Sequence, residues 1–227
     1  MTVVSESRLP AVTAPTRSEL IRFDLTGGLR TAVEVLRRHL GWSGMLRVLL
    51  SYVVRGLRDP LRSLPTGSFG RRREALVRHQ LRAAVLIDDA LAAASGLDAT
   101  AQRALLREII RETGARFIEA NVPMPTTEAW LEAPSSERDR YSGQVVQRFF
   151  NADVAELDAG ETRFSFEVTA CRFVQLCAAL DKPHLAQLFC EADAAFFERP
   201  EPRLRLVREG TIARGAAKCD FEINFDG

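Results

Sequence analysis

The sequence predicts an α+β fold: a mainly helical N-terminal two-thirds, then a small antiparallel sheet of one strand plus a C-terminal hairpin in the last third. Three observations predict it. Apolar residues recur three or four apart through the first half of the chain, as in Val33, Leu36, Leu40, Met45, Val48, Leu49 and Tyr52, which is helical periodicity. The segment Thr162–Ala170 (TRFSFEVTA) instead alternates Phe164, Phe166 and Val168 with polar residues, the period of a strand with one buried face. Two further alternating runs, LRLVREGTI and KCDFEINF, are joined by ARGA, the pattern of an antiparallel hairpin.

The elements follow in order. Residues 1–20 are polar and proline-bearing, lack the apolar centre of a secretory signal, and read as a flexible leader. Residues 21–227 read as a single domain, with a helical part over 21–160 and a cysteine-bearing α/β part over 161–227. A helix from Arg30 to about Tyr52 is expected to break at Gly41–Gly44. The run RDPLRSLPTGSFG, with Pro60, Pro65, Gly67 and Gly70, separates it from an alanine- and leucine-rich helix, Leu76–Ala94, that ends near Gly96. Asp98 to Thr100 offers capping side chains for a helix from Ala101 to about Ala120. Pro123 and Pro125 forbid its continuation. Another helix is expected over Ser135–Phe150, and two more, Cys171–Leu180 and Leu185–Phe197, flank a DKP turn.

Charge excludes some partners. Lysine and arginine number 31 against 30 acidic residues, a net charge of +1, so no long-range field gathers nucleic acid or acidic membrane lipid. The most apolar early window, Trp42–Leu57, is too short to cross a bilayer and is interrupted by Arg47 and Arg55; no membrane partner is expected. Four cysteines without an export signal imply a reducing, cytoplasmic compartment in which thiols stay free.

The candidate chemistry lies late in the chain. Cys171, Cys177, Cys190 and Cys219 contain no short CxxC pair, so neither a metal nor another cofactor is expected. Cys177, set among leucines and alanines, reads as a core residue. Cys190 differs because Asp193 lies three residues on, and residues three apart share a helix face: a thiol and a carboxylate side by side suit nucleophile and proton carrier. A nearby anion raises a thiol's pKa, so Cys190 needs a cationic neighbour, for which Arg172 and Arg208 are the candidates. Cys219 and Asp220 are consecutive on a strand and point to opposite faces. By spacing alone, Arg208, Glu209 and Thr211 are solvent-facing decoration of the partner strand. His39, His79 and His184 read as surface residues, and Asp88-Asp89 as the solvated edge of its helix.

Taken together, VTACRF, LAQLFCEAD and LVREGTIARGAAKCDF resemble the C-terminal signature of the L-2-amino-thiazoline-4-carboxylic acid hydrolase family, with an upstream echo in REIIRETGARFIEANVPMP. In that family a cysteine follows the first strand, here Cys171, and a phenylalanine-cysteine precedes an aspartate by three, here Cys190 and Asp193. An arginine-threonine strand then leads through a glycine turn to cysteine-aspartate-phenylalanine, here Arg208, Thr211, Gly215, Cys219, Asp220 and Phe221. The chain departs from the family in carrying Gly215-Ala216 where paired glycines are common, and RFVQLC where a more polar run is usual.

The resemblance implies hydrolysis of a cyclic amidine or thiazoline at a C–N or C–S bond, with a 2-aminothiazoline-4-carboxylate-like substrate, as a pathway-specific tailoring step on a small molecule. It implies catalytic roles for Cys190, Asp193, Cys219 and Cys171, and substrate-binding roles for Arg208, Thr211, Asp220 and Arg172. The partner is then a small molecule bearing a carboxylate. The oligomeric state is not readable from the sequence, a homodimer being one candidate. A helical half capped by a hairpin ending in Cys-Asp-Phe is also similar to vinyl-reductase-type binding domains, so the alternative is a non-catalytic small-molecule- or metal-binding sensory module.

Overall fold

A computed structural model describes residues 8–199 and 204–225. Of the expected leader, residues 1–7 lie outside the described residues. From Leu9 onward the segment differs from a loose leader: Leu9 and Val12 are buried against the sheet-side core. Thr16 then caps α1 (Arg17–Phe23) in a capping box closed by Glu19.

A π-helical turn, Asp24–Gly28, leads into α2 (Leu29–Arg55). The break expected at Gly41–Gly44 is one residue wide: Gly41 takes φ 65° and ψ −175° inside an otherwise continuous helix, a backbone setting that glycine adopts without a Cβ clash. Helices α3 (Arg71–Ala94) and α4 (Ala99–Asn121) follow, α4 capped by the Asp98 carboxylate, which accepts from the N–H groups of Thr100 and Ala101. A short helix, α5 (Thr127–Glu132), and α6 (Ser135–Val146) come next. No helix among the described residues is long and apolar enough to cross a membrane.

Among the described residues the sheet has four antiparallel strands: β1 (Ala152–Ala159), β2 (Arg163–Cys171), β3 (Arg205–Val207) and β4 (Cys219–Asn224), in the order β1-β2-β4-β3. The chain crosses from β2 to β3 through α7 (Arg172–Ala179) and α8 (Pro183–Phe197), and β4 inserts between them. Register sets Phe166 opposite Phe221, Phe164 opposite Ile223 and Val168 opposite Cys219, so the alternating apolar positions of both strands share one face. That face packs with Trp130, Tyr141 and Val145 from α5 and α6, and Trp130 stacks on Phe225 with ring centroids 4.2 Å apart. A second core lies among α2, α3, α4, α7 and α8, and Cys171 packs partly against both.

The sheet departs from the expected one in two places. Strand β1 (ADVAELDA) differs from the expected pattern because its alternation is interrupted where Val154 and Ala155 adjoin and rests on alanine and acidic residues, which are depleted in strands; its ladder with β2 is irregular between Ala155 and Asp158, where Glu156 has φ 50°. The run LRLVREGTI pairs only over Arg205–Val207. Beyond it the Asp220 carboxylate takes the N–H groups of Glu209 (2.9 Å) and Gly210 (2.8 Å), which draws them out of a ladder, and a 3-10 turn occupies Ile212–Arg214.

Candidate active site

Cys190 and Asp193 lie one turn apart on α8, whose start is set by Pro183 at its first position. Arg208 follows β3 directly and reaches back over this turn. Its Nη1 donates to Asp193 Oδ2 at 3.0 Å and its Nη2 to the carbonyl oxygen of Cys190 at 2.6 Å. Its guanidinium also lies 5.0 Å from the ring centroid of Phe221 on β4, a cation–π contact that holds the group between helix and sheet. Spacing named Arg208 as a cation able to serve Cys190; the fold delivers it from fifteen residues beyond Asp193 in sequence.

The electrostatics are dominated by burial. Asp193 is pushed up to about 6 by removal from water, against the opposing charge and hydrogen bond of Arg208; its side chain keeps 26% of its surface accessible. The Cys190 thiol is pushed up to about 12, first by burial and then by the Asp193 charge, with Arg208 pulling the other way. Cys171 and Cys219 are also raised by burial. Asn151 Nδ2 lies 3.7 Å from Cys171 Sγ, and the Ile212 N–H donates to Cys219 Sγ at 3.2 Å. Cys171, Cys190, Cys219, Asp193 and Arg208 are close enough for their charges to act on one another. All four cysteines are free thiols. Cys177 is fully enclosed in the helical core, with its thiol pushed up to about 12 by burial.

Two of the sequence candidates have other occupations. Arg172 is not beside Cys190: it is buried against Glu74 of α3, with Nε to Oε2 at 2.8 Å and Nη2 to Oε1 at 2.9 Å, and it donates to the carbonyl of Pro65. Asp220 is the acceptor that folds the loop behind Arg208. Burial acts to raise its pKa, but the N–H groups of Glu209 and Gly210 and the charge of Arg208 outweigh it and hold the carboxyl below its usual range. Thr211 is buried, and its hydroxyl has no hydrogen-bond partner among the described residues, a state that costs free energy unless a ligand meets it.

Sequence reasoning missed Glu74 and Asn151, the partners of Arg172 and Cys171. Glu74 and Arg172 stand 98 residues apart in the chain, and no local pattern marks such a pair. The histidines bond carboxylates: His39 with Glu108 and His79 with Asp24, each at 2.8 Å, and His184 with Asp88 at 3.4 Å. Asp88 and Asp89 are paired by Lys182. Among the described residues no group of three or more His, Cys, Asp or Glu side chains is placed to hold a metal.

Two clefts lie away from this chemistry. One cleft, of about 490 Å³, lies between the π turn and α4, lined by Phe23, Gly27, Arg116 and Arg199; its charged rim is occupied by ion pairs such as Arg199–Glu119 at 2.6 Å. Another, of about 510 Å³, runs between α2 and the end of α3 beside Leu50, Val54 and Ala93. Neither touches Cys190, Asp193 or Arg208. The cluster on α8 is the better candidate because it joins a carboxyl of raised pKa, a cation and a thiol.

The family model described as L-2-amino-thiazoline-4-carboxylic acid hydrolase matches residues 79–223, a span that contains all four cysteines, Asp193 and Arg208. No curated protein matches, and no solved structure matches.

Proposed function

The chain belongs to the L-2-amino-thiazoline-4-carboxylic acid hydrolase family, and from that premise we propose that it opens a thiazoline-type cyclic amidine by adding water at the amidine carbon. The observation that carries the reading is the Arg208–Asp193 contact at 3.0 Å beside Cys190. Hydrolysis of this ring asks for a base to take a proton from the attacking group, an acid to protonate the departing heteroatom, and a cation for the substrate carboxylate.

Asp193, with its carboxyl near 6, is ionised at neutral pH and still basic enough to accept a proton. The Cys190 thiol, raised to about 12, stays protonated. We therefore assign the attack to a water held beside Cys190 rather than to a resting thiolate. One O–H bond of that water breaks, its proton passes to Asp193, and its oxygen bonds to the amidine carbon as the C=N π pair moves onto nitrogen, which takes that proton from Asp193. Asp193 then accepts the remaining hydroxyl proton and passes it to the departing heteroatom as the ring C–N or C–S bond breaks and the carbonyl forms, and the product is a carbamoyl-cysteine. Arg208 uses two N–H groups on Asp193 and Cys190 and retains others for the substrate carboxylate. Cys171, Cys219 and Thr211 complete the walls of the site.

The test is incubation with 2-aminothiazoline-4-carboxylate, followed by mass spectrometry for the ring-opened product. Turnover by wild type, with loss in Asp193→Asn, is the expected result. No turnover by wild type removes this substrate. A covalent adduct trapped on Cys190 would move the attack from water to the thiol.

A further inference from the structure

The second half of α2, from Trp42 onward, carries apolar residues on its exposed side as well as its buried one. Val48 is fully enclosed and Met45 nearly so, at 3% exposed, while Trp42, Leu46, Leu50, Val53, Val54 and Leu57 are 57–81% exposed. At 3.6 residues per turn the five of these on α2 fall within an arc of about 120°, a continuous stripe rather than scattered apolar residues, and Leu57 follows two residues past the helix end. A contiguous exposed apolar patch of this kind marks a surface that meets something.

Charge says what it meets. From Val35 to Arg58 the chain carries no aspartate or glutamate, but it carries Arg37, Arg38, Arg47, Arg55 and Arg58, all exposed. Arg47 and Arg58 border the stripe, and Arg37 lies over the Trp42 ring at 5.4 Å. The acids at the ends are engaged elsewhere: Glu34 with Arg30 and Arg116, Asp59 with Arg82. Glu108, facing from α4, is held by Arg38 and His39. A second copy of the chain packed on this face would set arginine against arginine with no acid between. A bilayer surface with anionic headgroups satisfies both features, since apolar side chains enter the acyl boundary while arginines extend along it to phosphate.

We propose that the Trp42–Leu57 face of α2 docks the protein on an anionic lipid surface, the helix lying in the plane of the interface and not crossing it. The proposal is independent of the chemistry assigned to Asp193 and Cys190.

The experiment is co-sedimentation of the full chain with vesicles of phosphatidylcholine alone or mixed with phosphatidylglycerol. Wild type is expected to bind the anionic vesicles at least about tenfold better than the neutral ones, and less as salt rises. The same vesicles should shift the fluorescence of exposed Trp42 to the blue, because Trp130 is already fully buried. Leu46→Gln with Leu50→Gln, both on the exposed face, should abolish binding without changing the circular dichroism spectrum, and Arg47→Gln with Arg58→Gln should weaken it about tenfold or more. Absence of binding to anionic vesicles, or binding unaltered in the leucine variant, overturns the proposal. So does a dimer in sedimentation equilibrium that the leucine variant dissociates, which would give the face to a second copy.

Discussion

Gly114 on α4 faces Ala192 on α8 so closely that a Cβ built on the glycine would stand 2.4 Å from the alanine Cβ. An alanine methyl cannot rotate away, so any side chain at 114 must push one helix off the other. Ala192 sits between Cys190 and Asp193, which ties this contact to the site as well as to the core.

Gly114→Ala is therefore expected to lower stability by about 1–3 kcal/mol, the usual cost of overpacking. Turnover should fall together with stability, since α8 is the element displaced. A urea titration beside a steady-state assay checks both; unchanged values in both would mean that the two helices separate without strain.

Asp193 and Arg208 together predict a pH profile. With the carboxyl near 6, activity should rise with pH through about 6 as the base ionises. Asp193→Asn should lower kcat by about a hundredfold or more, the usual share of general acid–base catalysis. Arg208 pulls the Asp193 pKa down, so in Arg208→Gln the acidic limb of kcat must move to higher pH. A limb that stays in place in that variant would detach it from Asp193.

The same carboxyl makes a prediction for stability. Its pKa is raised in the fold from an ordinary 3.8 to about 6, so the folded chain holds this proton to higher pH than the unfolded chain. The contribution is fully present below 3.8 and is lost as pH rises through about 6. The stability of wild type relative to Asp193→Asn should accordingly fall between about pH 4 and 6 and level off above. The fall is at most about 3 kcal/mol, and less because a quarter of the side chain stays in water. Urea unfolding of both proteins at pH 4 and pH 7 reads the difference.

The parts of this molecule legible in the sequence are those whose cause is local. The Phe164, Phe166, Val168 alternation places β2, Asp98 places the start of α4, and Gly41 marks the kink in α2. Strand β1 was illegible because the alternation of ADVAELDA is interrupted at Val154-Ala155 and carries a single β-branched residue; it is a strand because β2 offers it an edge. In the site, the i, i+3 spacing of Cys190 and Asp193 was readable, and so was the need for a cation. That the cation is Arg208 and not Arg172 depends on a chain crossing through α8 and on Glu74 claiming Arg172 from a distant helix.

That claim is testable. The side chains of Arg172 and Glu74 are 7% and 5% exposed, and Arg78 also binds Glu74 at 2.7 Å. Arg172→Met leaves a buried carboxylate short of one partner, at a cost of ~3 kcal/mol, the lower end for breaking a buried pair because Arg78 remains. The KM of the surviving folded enzyme should stay that of wild type, since Arg172 is turned away from Cys190. A KM that rises while the melting temperature holds would return Arg172 to the substrate.

Thr211 separates packing from binding most cleanly. Its hydroxyl is buried without a partner among the described residues, so in the absence of ligand it carries a desolvation cost and no hydrogen bond. Valine has nearly the same shape and lacks that cost. Thr211→Val should leave the melting temperature unchanged or raise it, whereas a purely structural hydroxyl bond would make the variant less stable. If the hydroxyl meets the substrate, the variant loses one hydrogen bond on binding, and KM should rise about tenfold with kcat little altered. Measured on one preparation, higher stability with an unchanged KM would remove Thr211 from the site, and higher stability with a raised KM would place substrate beside the loop that Asp220 folds.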